Sequence, residues 1–378
     1  MDSCKERLAF VTALSVAVAV ALIWMPLAGC RRAQSAHAAR RHAAAWTHRT
    51  AALSLARGFL AAAAVGNTAL FVGGQRYHKG IVGTVDIFDA KTGRWSLGRP
   101  VEPTFYLAAA SAGRRAFFAG GWGPPLENLN VVDIYNPEAH SWSVARLCKG
   151  RMWLSGTAVG GDVLFAGGVN VQMGLYADVD IYDTKTRRWS TAKLSQPRAW
   201  MAATSVDGLA IFAGGQTRRG WSDRVDIYHV ATGRWTTARL SQPRSDMAAC
   251  SVGDLAIFAG GSTPRGSSAA VDIYNAKTGT WSTARLSEAR QNFAATAVGH
   301  YALFAGGLGA NWSAVVDIYD AKTRKWSTAR LSQARADLAA TTADGEAIFA
   351  GGFTRHGASA VVDIFRPPVR GSGGRLKP

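Results

Sequence analysis

The sequence predicts an all-β protein assembled from seven copies of one unit, and three observations carry that prediction. The first is composition: the 378 residues are 48% hydrophobic and 10% aromatic, with 41 glycines, which suits many short strands joined by turns. The second is a Gly-Gly doublet behind an apolar run, recurring at Gly73, Gly120, Gly167, Gly214, Gly260, Gly306 and Gly351. The third is a motif downstream of each doublet, Val-Asp-Ile and an aromatic (Phe88, Tyr135, Tyr182, Tyr228, Tyr274, Tyr319, Phe365). In six units a tryptophan then stands ten residues past the valine (Trp95, Trp142, Trp189, Trp235, Trp281, Trp326).

Doublet, aromatic and tryptophan at a period of 45 to 47 residues resemble the kelch repeat, over residues 46–365. The resemblance implies a seven-bladed β-propeller of four-stranded antiparallel blades. The residues agree with it. Strand a is small and apolar, as in Met201-Ala202-Ala203-Thr204, which suits a crowded axis; strand b is continuously apolar, as in Ala210-Ile211-Phe212-Ala213, which suits a strand covered on both faces. Strands c and d, around Val-Asp-Ile-Tyr and Trp-Ser-Thr-Ala, alternate, leaving Tyr and Trp as wedges between blades. The seventh unit stops after strand c, and the segment from Trp46 to Arg57 echoes residues 326–335 with two residues inserted. An N-terminal d-strand is therefore expected to complete blade seven and close the ring.

The seven copies can be compared with one another. Valine to tryptophan is always ten residues and tryptophan to the next doublet 25, so all length variation falls in the b–c loops, which run from eight to ten residues. In a meander these loops share one face with the d–a connections, and loops on a rigid scaffold are where binding resides. Fourteen residues before each doublet, as strand a begins, stand Phe59, Tyr106, Trp153, Trp200, Asp246, Asn292 and Asp337. At a channel mouth these would form an aromatic arc and a polar arc able to stack on a sugar and hydrogen-bond its hydroxyls; alternatively the aromatics fill gaps between blades. Tyr77, Trp122, Tyr176, Trp221 and Trp312 add aromatics to the variable loops. Two residues before each rim residue the position is basic in six units (Arg57, Arg151, Arg198, Arg244, Arg290, Arg335), with Thr104 the exception. In some kelch propellers arginines at this rim hold acidic peptides; here that role and pairing with a neighbouring blade are both open. For the seven Val-Asp-Ile aspartates, pairing with the basic residue four past the tryptophan (Arg99, Arg146, Lys193, Arg239, Arg285, Arg330) is expected, being cross-strand.

Ahead of the repeats, residues 8–27 form a nearly unbroken apolar run behind Lys5 and Arg7, long enough to cross a bilayer. It ends in Leu27-Ala28-Gly29-Cys30, which resembles the lipobox of bacterial lipoproteins; the resemblance implies cleavage before Cys30 and a diacylglycerol on its thiol. An uncleaved anchor, or cleavage at another small residue, is the alternative, and Arg31, Arg32, Arg40 and Arg41 weigh against easy export. The expected organisation is residues 1–29 as signal or anchor, 30–45 as a basic tether, 46–365 as the propeller and 366–378 as a basic, disordered tail. The expected location is a membrane's extracytoplasmic side, or secretion. Cys4, Cys30, Cys148 and Cys250 are too scattered for a disulfide framework or a metal site, and the two repeat cysteines are expected to be small buried thiols.

The ends of the chain, residues 1–57 and 366–378, carry +10 of the formal charge of +18. The propeller keeps the rest, with Arg76, Lys79, Arg218, Arg219, Arg265 and Arg355 on the variable loops, a field that attracts acidic glycans, anionic lipids or acidic peptides. No nucleic-acid motif, P-loop, dinucleotide fingerprint or Ser-His-Asp arrangement is present, so no specific nucleic acid is expected. The kelch family also includes galactose oxidase-like copper enzymes and a sialic-acid mutarotase. The copper type uses a cross-linked Cys-Tyr pair with further Tyr and His ligands, and nothing here matches it; no cofactor or metal is expected, although His78 and His356 share the variable face. Two functions are consistent with these features. One is a monomeric, non-catalytic platform that binds a glycan or acidic polypeptide through its b–c/d–a face, using the seven rim residues and Arg151, Arg198, Arg244, Arg290 and Arg335. The other is a sugar-processing enzyme of mutarotase or epimerase type, with Asp246 and Asp337 as the acid–base pair.

Overall fold

The computed structural model describes residues 45–368, apart from 78, 100, 125 and 126. The apolar run, Cys30, His78, the tether up to residue 44 and the tail beyond residue 368 lie outside the described residues. Seven four-stranded antiparallel sheets stand in a ring, and no helix occurs among the described residues.

Blade 4 shows why the sequence folds this way. Strands a to d are Ala202–Val206, Leu209–Ala213, Arg224–His229 and Arg234–Arg239, in that order across the sheet. Strands a and b are joined by Asp207-Gly208, both at positive φ (44° and 74°) between the paired Val206 and Leu209, the tight hairpin turn that Asp-Gly favours. Strand b is covered on both sides, with Ile211, Phe212 and Ala213 fully buried. That accounts for its lack of polar alternation. Each sheet buries its faces only against its neighbours, so the apolar residues gather into clusters between blades. Ile257 and Ala259 of blade 5 meet Phe304 and Tyr319 of blade 6, and Ile348 and Ile364 of blade 7 meet Phe71 and Phe88 of blade 1. The Tyr-Trp pairs act as wedges: Tyr182 lies opposite Trp189 with ring centroids 5.0 Å apart, and both join the cluster between blades 2 and 3.

Blade 7 takes three strands from residues 339–366, and Thr47–Ala52 pairs antiparallel along the outer one, Thr47 opposite Arg366. The register differs from the sequence comparison. His48, not Trp46, stands where other blades carry tryptophan; it faces Phe365 and stacks on it at 4.3 Å. Trp46 packs instead on Tyr301 at 4.9 Å, and no two-residue insertion is needed.

The doublets join blade to blade. Gly214 sits at φ +66°, and a Cβ there would lie 2.4 Å from the Arg244 carbonyl oxygen of the next blade. The Gly215 N–H donates to that same carbonyl at 2.8 Å. Equivalent bonds link every consecutive pair, including Gly352 of blade 7 to Arg57 of blade 1 at 2.8 Å. Only glycine allows this approach.

In six blades the residue whose carbonyl is gripped is an arginine with a buried side chain. Arg57, Arg151, Arg198, Arg244, Arg290 and Arg335 are all 0% exposed, and each pairs with the strand-c aspartate of its own blade. The Arg57–Asp86, Arg151–Asp180 and Arg335–Asp363 distances are 2.8, 2.6 and 2.7 Å. The same carboxylate accepts the N–H of the d–a connection three residues earlier, as from Ser195 to Asp226 at 2.9 Å and Ser332 to Asp363 at 2.8 Å. This corrects two expectations. Burial leaves Arg151, Arg198, Arg244, Arg290 and Arg335 no surface for an acidic partner; burial also pushes Arg198 and Arg335 down to about 10, against the pull of their aspartates, which still leaves them charged at neutral pH. Six of the seven aspartates, for their part, have the buried guanidinium on the carboxylate from within rather than the outer basic residue. Lys193 and Arg239 bind Asp178 and Asp223, just before the valines of the repeat, at 2.6 and 2.8 Å. Cys148 is exposed rather than buried, since it fills a connector serine's place and donates its N–H to Asp180 at 2.8 Å.

Gly253 is also at positive φ (55°), but nothing lies within 4 Å of a Cβ built there. Gly253→Ala should therefore cost about 1 kcal/mol, for the backbone conformation alone. Gly214→Ala should cost about 3 kcal/mol, because it adds a collision with backbone. Urea unfolding midpoints of the two variants give the comparison.

Candidate functional site

The residue before each rim position pairs with its own blade's b–c loop, as Ala199 with Gln216 and Ser245 with Ser262. This places the start of strand a and the b–c loop on one face, as the meander requires. The chain then turns sharply: Phe59, Tyr106, Trp153, Trp200, Asp246, Asn292 and Asp337 all have positive φ, from 53° to 60°. Asn and Asp tolerate this region, whereas for Phe, Tyr and Trp it costs about 1–2 kcal/mol each.

A ring of hydrogen bonds holds that geometry. The N–H of each rim residue donates to the carbonyl of the rim residue in the preceding blade: Tyr106 to Phe59, Trp153 to Tyr106, Trp200 to Trp153, Asp246 to Trp200, Asn292 to Asp246, Asp337 to Asn292 and Phe59 to Asp337, at 2.8–3.3 Å. The sequence comparison located these seven residues, and the structure brings all of them into one closed circle. The bond ring itself had no signal in the sequence, because any residue with an N–H can form it.

Backbone conformation is shared by all seven, so it belongs to the fold; side-chain identity differs, so it is open to serve binding. All seven side chains are half-buried. The aromatics stack successively, with centroids 4.4 Å apart for Phe59–Tyr106, 4.7 Å for Tyr106–Trp153 and 4.3 Å for Trp153–Trp200. At one end Phe59 rests on Phe353 at 5.0 Å; at the other, Trp200 is followed in the circle by Asp246. Ser245 Oγ donates to Asp246 Oδ2 at 2.7 Å. Burial, reinforced by the Asp246 charge and opposed by a hydrogen bond with Asn292, pushes the Asp337 carboxyl up to about 8. Asp337 is then a neutral acid at pH 7, able to donate as well as accept. Among the loop aromatics, Trp122 packs edge-on against Phe105 at 5.6 Å, Tyr77 against Phe353 at 5.9 Å, and Tyr176 lies under the Lys149 ammonium at 4.9 Å.

Among the described residues no three His, Cys, Asp or Glu side chains are grouped so as to hold a metal. Two surface clefts, of about 230 Å³ beside the b–c loop of blade 4 and about 240 Å³ between the incoming connector and strands c and d of blade 2, are lined by none of the seven rim residues. The first is lined by Arg219, Trp221, Arg224 and Arg239, the second by Asp133 and Glu102. Sequence comparison marked the second only through the exception at Thr104.

The folded pKa of Asp337 lies above its unfolded value near 4, so the folded state holds the proton more tightly. Its contribution to stability is full at low pH and falls as pH rises through 4 to about 8. Asp337→Asn should remove that part of the pH dependence, so that the variant gains on the wild type between pH 5 and 8 in thermal unfolding.

No family model matches the chain, and no curated protein matches it; the kelch resemblance thus rests on the seven repeated motifs themselves. Among solved structures 917 chains match. One, described as the structure of YjhT, superposes with a TM-score of 0.59 over 74% of this chain and 99% of that one, at 18% identity. That likeness shows the fold alone, a β-propeller; the seven blades are counted in this chain's own sheets.

Proposed function

We propose that this propeller is a non-catalytic binding module whose b–c rim takes a carbohydrate. The observation that carries the reading is the divided rim: seven equivalent positions of like backbone geometry bear a continuous aromatic stack from Phe59 to Trp200 and a polar run of Asp246, Asn292 and Asp337. An aromatic edge beside mixed donors and acceptors suits a ring with one apolar face and several hydroxyls. The two junctions, Trp200–Asp246 and Asp337–Phe59, are where both kinds of contact are available together. An acidic polypeptide has weaker support, because the six inner arginines are buried and neutralised. The loop cations, such as Arg218, Arg265 and Arg355, would add steering toward anionic sugars.

The enzyme reading retains one observation: a carboxyl raised to about 8 shares a rim with the second carboxylate that raises it. Such a pair suits proton transfer at a sugar's anomeric centre. A glycan-array screen on residues 46–378, followed by titration of the hits, separates the two. Binding that weakens at least tenfold in the Trp153→Ala/Trp200→Ala double variant, with no change in the bound sugar by NMR, supports the binding module. Unchanged affinity in that variant contradicts it, and turnover abolished by Asp337→Asn supports the enzyme.

A further inference from the structure

Blade 2 departs from the other six at one place. Position 104 is threonine, and its Oγ1 donates to the Gly120 carbonyl at 3.2 Å. The strand-c aspartate of this blade, Asp133, therefore lacks the buried guanidinium of its sisters. It also lacks the connector N–H: Val101, at the place of the usual serine, gives its N–H to the Gly83 carbonyl at 3.0 Å. Both groups that hold the equivalent carboxylate elsewhere are missing. Asp133 is half-buried where its sister aspartates are buried, and it lines a cleft of about 240 Å³ together with Arg99, Glu102, Trp142 and Arg146.

We propose that this cleft beside strands c and d of blade 2 binds an external guanidinium group, with Asp133 and Glu102 as its carboxylate partners. In six blades of this chain the equivalent aspartate holds a guanidinium, and here the same carboxylate lines an open cleft instead. The volume is several times the ~30 Å³ that a water molecule occupies in the liquid, which admits a planar four-atom head group. Glu102, from the connector, supplies a second acceptor suited to the planar donor fork. The Trp142 ring on strand d offers a flat apolar wall. The charged groups facing Asp133 are Arg99 and Glu102 on the connector and Arg146 on strand d; Arg146 is turned toward Asn130, to which its Nη1 donates at 2.9 Å.

The electrostatics agree. Burial and the Glu102 charge push the Asp133 carboxyl up to about 6, against the opposing influence of Arg99. The two carboxylates favour an arriving cation and Arg99 and Arg146 in the same lining oppose it, so binding depends on both carboxylates being ionised and should weaken as pH falls through about 6. The chemistry is shared by a small guanidine and by an arginine side chain of a partner polypeptide.

The experiment follows the Trp142 indole N–H by NMR while agmatine, its amine counterpart cadaverine, or acetyl-Gly-Arg-Gly-amide is added at pH 7.5. Saturable shifts with agmatine are expected, at least tenfold weaker with cadaverine and in Asp133→Asn, and absent in Thr104→Arg, which restores the built-in guanidinium. A tripeptide that binds tighter than agmatine points to a polypeptide arginine; one that binds no tighter points to a free guanidine. No saturable shift in the wild type, or equal agmatine binding in wild type and Asp133→Asn, overturns the proposal. Asp133→Asn decides the matter even if Thr104→Arg does not fold. Because no rim residue is involved, the result is independent of the carbohydrate reading.

Discussion

The buried arginine–aspartate pair is the interaction on which the rest of the ring depends. An ionised guanidinium at 0% exposure is expensive unless its charge is paired and its donors are used. Here the carboxylate supplies the charge and carbonyls take part of the donors: Arg57 Nε reaches the Gly73 carbonyl at 2.7 Å and Arg335 Nη2 the Phe349 carbonyl at 3.1 Å, while Nε of the other five arginines has no partner among the described residues. Because the aspartate also accepts a connector N–H, one carboxylate fixes strand c, the guanidinium and the incoming chain. The arginine's own carbonyl is then positioned for the preceding blade's glycine doublet. In six blades that one cluster ties inner packing to the direction in which the chain enters strand a; in blade 2 the Thr104 hydroxyl, bonded to the Gly120 carbonyl, stands in its place and the doublet bond is kept.

The rim lies next along the chain. Two residues beyond the buried arginine, the chain reaches the positive-φ position and the circle of seven hydrogen bonds. A site built this way combines a rigid backbone with free choice of side chain, and blades 1 to 4 use that freedom for aromatics while blades 5 to 7 use it for Asp and Asn. The conformational cost borne by four aromatic residues in the left-handed region is met by a closed bond circle that no single blade could form.

Much of this was legible in the sequence, and the reasons for the misses are specific. The doublets, the Val-Asp-Ile strands and the constant spacings identified the blades, because a period repeated seven times reports backbone geometry directly. The rim residues were also located, since one offset from the doublet defines them all. The side-chain directions were not legible. A basic residue in six units of seven reads alike whether it lines a surface or fills a core, and only the cluster of acceptors around it decides. The same limit explains Trp46: residue type matched it to the blade tryptophans, while strand register places His48 there. It explains Cys148 as well, which resembles a buried thiol by chemistry but occupies an exposed connector position. The cleft of blade 2 was visible only as a missing arginine, and its meaning depended on knowing what the other six arginines do.

The claim that these pairs hold the ring together is tested most directly by a double-mutant cycle on Arg198 and Asp226, with unfolding free energies from denaturant titration of the wild type, Arg198→Met, Asp226→Ala and the double variant. Each single change leaves one buried charge uncompensated and should cost about 3–5 kcal/mol. The double variant should cost far less than their sum, giving a coupling of at least about 2 kcal/mol. Single changes that each cost under about 1 kcal/mol, or that simply add, would contradict the account.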